Sequence, residues 1–177
     1  MNKSPTPTIA WTGQHLSIAI RDRWEYATRN TQRPAVGIVA VTDERSVVLV
    51  EQFRPPVNRV VIELPAGLAG DLADVKDETL LAAAQRELLE ETGYRASQWT
   101  ELTAGYSSPG LTDETIVLFL AQGLTKITAG GGDATEKITI HEVPLDEVVQ
   151  WLMRNNYVAD LKLLGGLFAA QAILHKM

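Results

Sequence analysis

Apolar and polar residues alternate through Leu16, Ile18 and Ile20, a period of two that predicts a strand. The alternation resumes at Trp24, Tyr26 and Thr28 after a turn at 21–23. Two β-branched runs, 35–41 and 46–51, are separated by Thr-Asp-Glu-Arg and read as a hairpin. A further strand over 59–64 stops at Pro65. The period then changes. Leu81, Ala84 and Leu88 recur on one helical face, Asp77 can cap, Glu78 falls in the first turn and Gly93 stands just past the end. Strands are expected again at 100–106, 115–121 and 137–143. Pro144 and the acids behind it open a helix over 144–154. An apolar helix over 158–174 follows, its Gly165-Gly166 pair suited to close packing. This order predicts a mixed α/β fold rather than regular βαβ alternation.

Residues 1–8 carry two prolines among polar neighbours and read as a loose tail, with 9–33 an N-terminal strand region and 34–177 the main domain. Gly130, Gly131 and Gly132 read as a mobile loop. There are 22 acidic and 16 basic residues, a net charge of −6. That argues against a nucleic-acid partner, which wants a basic face. It leaves a small diphosphate open, because metal ions can carry the positive charge. With no cysteine, thiol catalysis, disulfides and zinc–thiolate sites are excluded. No apolar run approaches membrane-spanning length and the N-terminus lacks a signal-like core, so a cytoplasmic domain without membrane contact is the expectation.

The chemistry concentrates at Arg86-Glu87-Leu88-Leu89-Glu90-Glu91-Thr92-Gly93-Tyr94. Glu87, Glu90 and Glu91 fall at i, i+3 and i+4, which places them on one helix face. Three like charges destabilise an isolated helix, so either a solvated acidic face or a cation to neutralise them is implied. Oxygen ligands alone favour magnesium, with manganese able to substitute, over zinc.

The flanks decide between the two. Glu78 precedes Arg86 by seven intervening residues, and the whole run resembles the Nudix signature G-x5-E-x7-R-E-U-x-E-E-x-G-U, with U apolar. The departure is at the front. Ten residues rather than five separate Gly67 from Glu78, and strict spacing falls on Leu72, which reads as an insertion in a tolerant loop. The runs Trp24-Glu25-Tyr26, Glu51-Gln52-Phe53-Arg54, Glu63-Leu64-Pro65-Ala66-Gly67 and Ser108-Pro109-Gly110 through Glu114 are similar to the ADP-ribose pyrophosphatase branch of that family.

The resemblance implies a mixed β-sheet sandwiched between helices, with an antiparallel N-terminal strand region that helps form a homodimer. It implies hydrolysis of ADP-ribose to AMP and ribose 5-phosphate, or of a wider set of nucleoside diphosphate sugars such as GDP-mannose. It assigns metal binding to Glu87, Glu90, Glu91 and the backbone of Ala66, and an orienting role to Arg86. The general base falls in the loop 130–137, where Glu136 leads and Asp133 is weaker. Trp24 stands for base stacking, Glu25 for the base edge, Arg29 and Arg54 for the diphosphate or terminal ribose, and Gly110 and Glu114 for positions near substrate and metals. A non-catalytic Nudix module is the other reading, but such modules tend to lose the carboxylates that this chain keeps. A serine elbow and a P-loop are absent from the sequence.

Overall fold

The computed structural model describes residues 5–31, 33–70, 77–132 and 137–174. Its N-terminal part is a three-stranded antiparallel sheet of β1 (Thr8–Thr12), β2 (Leu16–Arg21) and β3 (Trp24–Arg29), in that order. β1 takes in Thr8, the last residue of the expected tail. The larger sheet comprises β4 (Ala35–Val41), β5 (Ser46–Arg54), β6 (Arg59–Glu63), β7 (Ala66–Leu68), β8 (Tyr94–Tyr106), β9 (Thr115–Lys126) and β10 (Ile138–Pro144). Its main path runs β10-β5-β4-β9-β8, with β6 on β5 and β7 on β4. Only β4 and β9 among the named pairs run parallel, so the sheet is mixed, as expected.

Period-two alternation divides the sheet between two cores. Val36, Ile38 and Ala40 face α1 (Leu80–Thr92) through Ala83, Ala84 and Leu88. Val39 and Val41 face the other way, with Leu152 of α2 (Val148–Arg154) and Leu163 and Leu167 of α3 (Leu161–Leu174). No described helix is long and apolar enough to cross a membrane.

Three local expectations shift. Leu81 stays exposed, and the buried stripe of α1 runs Ala84, Leu88, Glu91, with Ala83 beside it. The turn after Pro144 is a 3-10 helix at Leu145–Glu147 before α2 begins. The last helix starts at Leu161 because the segment before it is occupied elsewhere: Ile62 on β6 donates to Val158 O and accepts from Asp160 N. The glycine pair divides its duties. A Cβ at Gly166 would stand 2.8 Å from Leu64 Cδ1 and 3.0 Å from Val39 Cγ2, so α3 approaches the sheet through it, whereas Gly165 is exposed with nothing near.

Two substitutions test that packing. Gly165→Ala is expected to stabilise the fold by roughly 0.5–1 kcal/mol, the penalty of glycine within a helix. Gly166→Ala should destabilise by about 1–3 kcal/mol through overpacking. Urea denaturation showing the same sign for both would contradict this seating of α3.

Candidate active site

Thr79, not Asp77, caps α1, its hydroxyl accepting from Ala82 N at 3.1 Å. Glu78 therefore lies ahead of the helix rather than in its first turn. Its carboxylate turns back to Arg86, taking Nε at 3.0 Å and Nη2 at 3.2 Å, and also accepts from Gly70 N at 2.9 Å. Arg86 further donates through Nη1 to Glu87 Oε1 at 2.8 Å and Glu90 Oε2 at 3.1 Å, and through Nη2 to Leu68 O at 3.1 Å. One guanidinium thus joins three carboxylates and a carbonyl of β7. Burial opposes the Arg86 charge, but Glu78, Glu87 and Glu90 together outweigh it and raise its pKa. The hydrogen bond from Arg86 holds Glu78 below the usual carboxylate range against the effect of burial, helped by the Gly70 amide.

The three box carboxylates have different surroundings. Glu91 is buried and accepts from Ala66 N at 3.0 Å. Glu87 lies so close to Gly67 that a Cβ there would overlap its carboxylate. Glu90 is half exposed. Gly67 therefore serves as the close-approach glycine ahead of this helix, while position 72 falls outside the described residues.

A domain profile described as NUDIX domain matches residues 31–162. The chain belongs to the Nudix family. It is 40% identical over 129 residues to an ADP-ribose pyrophosphatase of Bacillus subtilis, covering 72% of this chain and 66% of that protein. It is also 40% identical over 119 residues to a methanol dehydrogenase activator of Bacillus methanolicus, covering 67% and 62%. The chain thus matches slightly under two thirds of the length of these two relatives. In fold it resembles a crystal structure of an ADP compounds hydrolase, with a TM-score of 0.76, 22% identity, and 99% and 98% of the two chains covered.

The Nudix helix forms part of a cleft of about 420 Å³ that Arg86, Glu87, Glu90, Glu91, Ala66 and Gly67 share with Arg29, Arg54, Glu63, Glu114 and Lys162. Arg54 forks onto Glu63 at 2.6 and 2.9 Å. Arg29 reaches Glu114 Oε1 at 2.6 Å through both Nε and Nη2. Seven of the residues singled out from sequence, together with Ala66, therefore line one cavity. Glu63 and Lys162 were not singled out. Glu63 was visible in its motif, where only the glycine and the Ala66 backbone were weighed, and Lys162 was hidden in an apolar helix.

The other expected residues lie elsewhere. Trp24 is exposed and lines a neighbouring pocket with Gly110, Tyr106 and Asp113. Glu25 is also exposed, but adjacent strand residues leave opposite faces of a sheet. Trp24 and Glu25 therefore point to opposite faces of the N-terminal sheet. Asp133 and Glu136 lie outside the described residues. Their approach is nonetheless anchored. Gly131 N donates to Glu91 O at 2.8 Å and Gly132 N to Glu90 O at 3.1 Å. Gly130–132, a loop as the sequence suggested, close the end of α1, and the left-handed φ of +69° at Gly130 lets its backbone lie against Thr92.

The donor set fits a hard divalent cation, since every candidate atom is oxygen. Among the described residues no three acidic, histidine or cysteine side chains are gathered as a ready metal cage. Arg86 holds two of the carboxylates and the Ala66 amide holds the third. Magnesium keeps several waters and takes only one or two carboxylates directly, so a three-carboxylate cage is not required.

The depressed pKa of Glu78 makes a stability prediction. Its contribution is fully present above its ordinary value of 4.5 and is lost as pH falls through the lower folded value. Melting temperature should therefore fall on acidification below about pH 4.5, and fall less steeply in Glu78→Gln, which starts about 1–3 kcal/mol less stable at neutral pH. Parallel acid limbs in the two proteins would contradict the Glu78–Arg86 coupling.

Proposed function

We propose that this chain hydrolyses the diphosphate of nucleoside diphosphate sugars with the help of magnesium or manganese, converting ADP-ribose to AMP and ribose 5-phosphate. The observation that carries this reading is the pair of contacts, Arg86 to Glu87 and the Ala66 amide to Glu91, that seats both carboxylates in the same cleft as the guanidinium groups of Arg29 and Arg54. The similarity to an ADP-ribose pyrophosphatase points to the same substrate class.

A diphosphate repels an incoming nucleophile and must be neutralised and held in line. When bound, the metal screens this charge and lowers the pKa of a bound water. Glu87, Glu90, Glu91 and the Ala66 backbone would hold it. Arg86 fixes the Glu87 carboxylate against Gly67, so that this oxygen is in place before substrate arrives. Arg29 and Arg54 suit phosphate because their planar forks bind oxygens in pairs, and Glu114 and Glu63 orient them. Glu136 is the base that takes the proton from water. Its support is position: the preceding loop is tied to Glu90 and Glu91, and the strand after it opens at Ile138, opposite Gln52 and two residues from Arg54 on β5.

Trp24 offers an exposed indole for stacking, and Gly110 shares its pocket. Stacking accepts any base, which favours a broader range that includes GDP-mannose as the second reading. Trp11, Leu16 and Ile18 are exposed on the face of the N-terminal sheet opposite Trp24, and a second copy of the chain would cover them in a homodimer.

Purified protein with magnesium should release AMP and ribose 5-phosphate from ADP-ribose. Glu87→Gln and Glu91→Gln should each lower kcat by at least ~10²-fold, and Glu136→Gln by about 10²- to 10⁴-fold with binding retained. A metal-replete protein inert on a broad panel of diphosphates would refute the reading.

A further inference from the structure

Cavities that share wall residues connect the Trp24 pocket to the cleft and beyond. The pocket beside Trp24 shares Arg21, Tyr26 and Asp113 with a cavity of about 440 Å³. That cavity meets the cleft at Arg29 and Glu114. Past the cleft, and sharing Arg29, Arg54, Glu63 and Lys162 with it, lies a further lobe of about 440 Å³ that includes Pro56, Arg59 and Asp160. The function proposed above uses the base end and the cleft. It leaves this far lobe and Lys162 without a role.

Lys162 is built into place. The segment before α3 is stitched to β6 one residue ahead of Glu63: Ile62 N donates to Val158 O at 2.9 Å, Asp160 N donates to Ile62 O at 3.0 Å, and Ala159 bridges Ile62. Asp160 then starts the helix. Its Oδ1 accepts from Lys162 N at 2.7 Å and its carbonyl from Leu163 N at 3.1 Å, while Leu163 is fully buried. The second oxygen of Asp160 pairs with Lys162 Nζ. Lys162 is the sole charged residue of α3, and only about a quarter of its side chain is exposed. A solvated lysine on a helix surface needs none of this.

The three arginines of the cleft each engage carboxylates: Arg86 those of Glu78, Glu87 and Glu90, Arg54 that of Glu63 and Arg29 that of Glu114. An ammonium carries three donors in a compact charge, which suits phosphate oxygens beside a single carboxylate.

We propose that the far lobe is the subsite for the sugar on the distal phosphate, and that Lys162 binds this phosphate at the mouth of the lobe. This rests on the proposed function for the identity of the ligand. Arg59 and Asp160, charged groups in the wall of the lobe, suit sugar hydroxyls as acceptors and donors. The subsite would thereby discriminate among sugars, while the Trp24 end tolerates different bases.

Lys162→Met keeps the aliphatic stem and removes the ammonium, and Lys162→Arg keeps the charge. ADP-ribose is titrated calorimetrically into each protein in EDTA, so that binding is read without turnover. AMP, the near half of the substrate, serves as the control. Lys162→Met should weaken ADP-ribose about 10- to 100-fold, the scale of one hydrogen bond to a charged group. AMP binding should stay within about twofold, and Lys162→Arg should restore most of the ADP-ribose affinity. With magnesium, KM should rise in parallel and kcat change by less than about threefold, as for contacts shared by ground and transition states. Equal ADP-ribose affinity in wild type and Lys162→Met, undetectable binding by both included, overturns the subsite, and so does an equal loss for AMP. Turnover by wild type with an unaffected Lys162→Met overturns the subsite alone. Lys162-dependent binding by a protein that hydrolyses nothing supports the subsite and overturns the hydrolytic function.

Discussion

Carboxylates at positions 87, 90 and 91 crowd one turn of a helix, where like charges push the helix toward unfolding. Arg86 makes the arrangement tenable. It neutralises Glu87 and Glu90 directly, and Glu78 anchors it from outside the helix. Truncating one partner in such a cluster leaves the others uncompensated, the mostly buried Arg86, Glu78 and Glu87 above all. The remaining architecture serves to bring this cluster to a wall of the sheet. The Leu68 carbonyl of β7 accepts from Arg86, the Ala66 amide of β7 donates to Glu91, and β7 itself pairs with the central strand β4.

The same economy links the two sheets. Three successive residues of β3 reach the loop that precedes β9. Ala27 N donates to Leu111 O, Thr28 Oγ1 to Asp113, and Arg29 to Glu114. The last of these contacts is also a wall of the cleft, so the position of the N-terminal sheet and the setting of Arg29, the arginine proposed to bind phosphate, are one interaction. At the other end of the cleft, Asp160 both starts α3 and holds Lys162.

Much of this was legible in the sequence where the signal is local and periodic. The β-branched runs at 35–41 and 46–51 marked two central strands, and the spacing of Arg86, Glu87, Glu90 and Glu91 marked the helix and its charged cluster. What escaped has a common cause. β1 is exposed at every position, so it is held by pairing with β2 rather than by burial, and hydrophobic periodicity is silent about it. Helical spacing put Glu91 on one face with Glu87 and Glu90 and was silent about its burial, whereas an amide from a distant strand holds it inside. Glu63 and Lys162 acquire meaning only through partners brought in by the fold. The cap moved from Asp77 to Thr79 because Glu78 is drawn back to Arg86 and Gly70.

Arg86→Gln tests the central claim most directly, because this side chain is held to organise the carboxylates and not merely to stabilise the fold. The measurement is kcat on ADP-ribose at saturating magnesium, at a temperature where circular dichroism shows the variant fully folded. The account predicts a loss of at least ~10²-fold, the scale for removing a group that preorganises a charged site. A folded Arg86→Gln protein with kcat near that of wild type would show that the cluster is only structural.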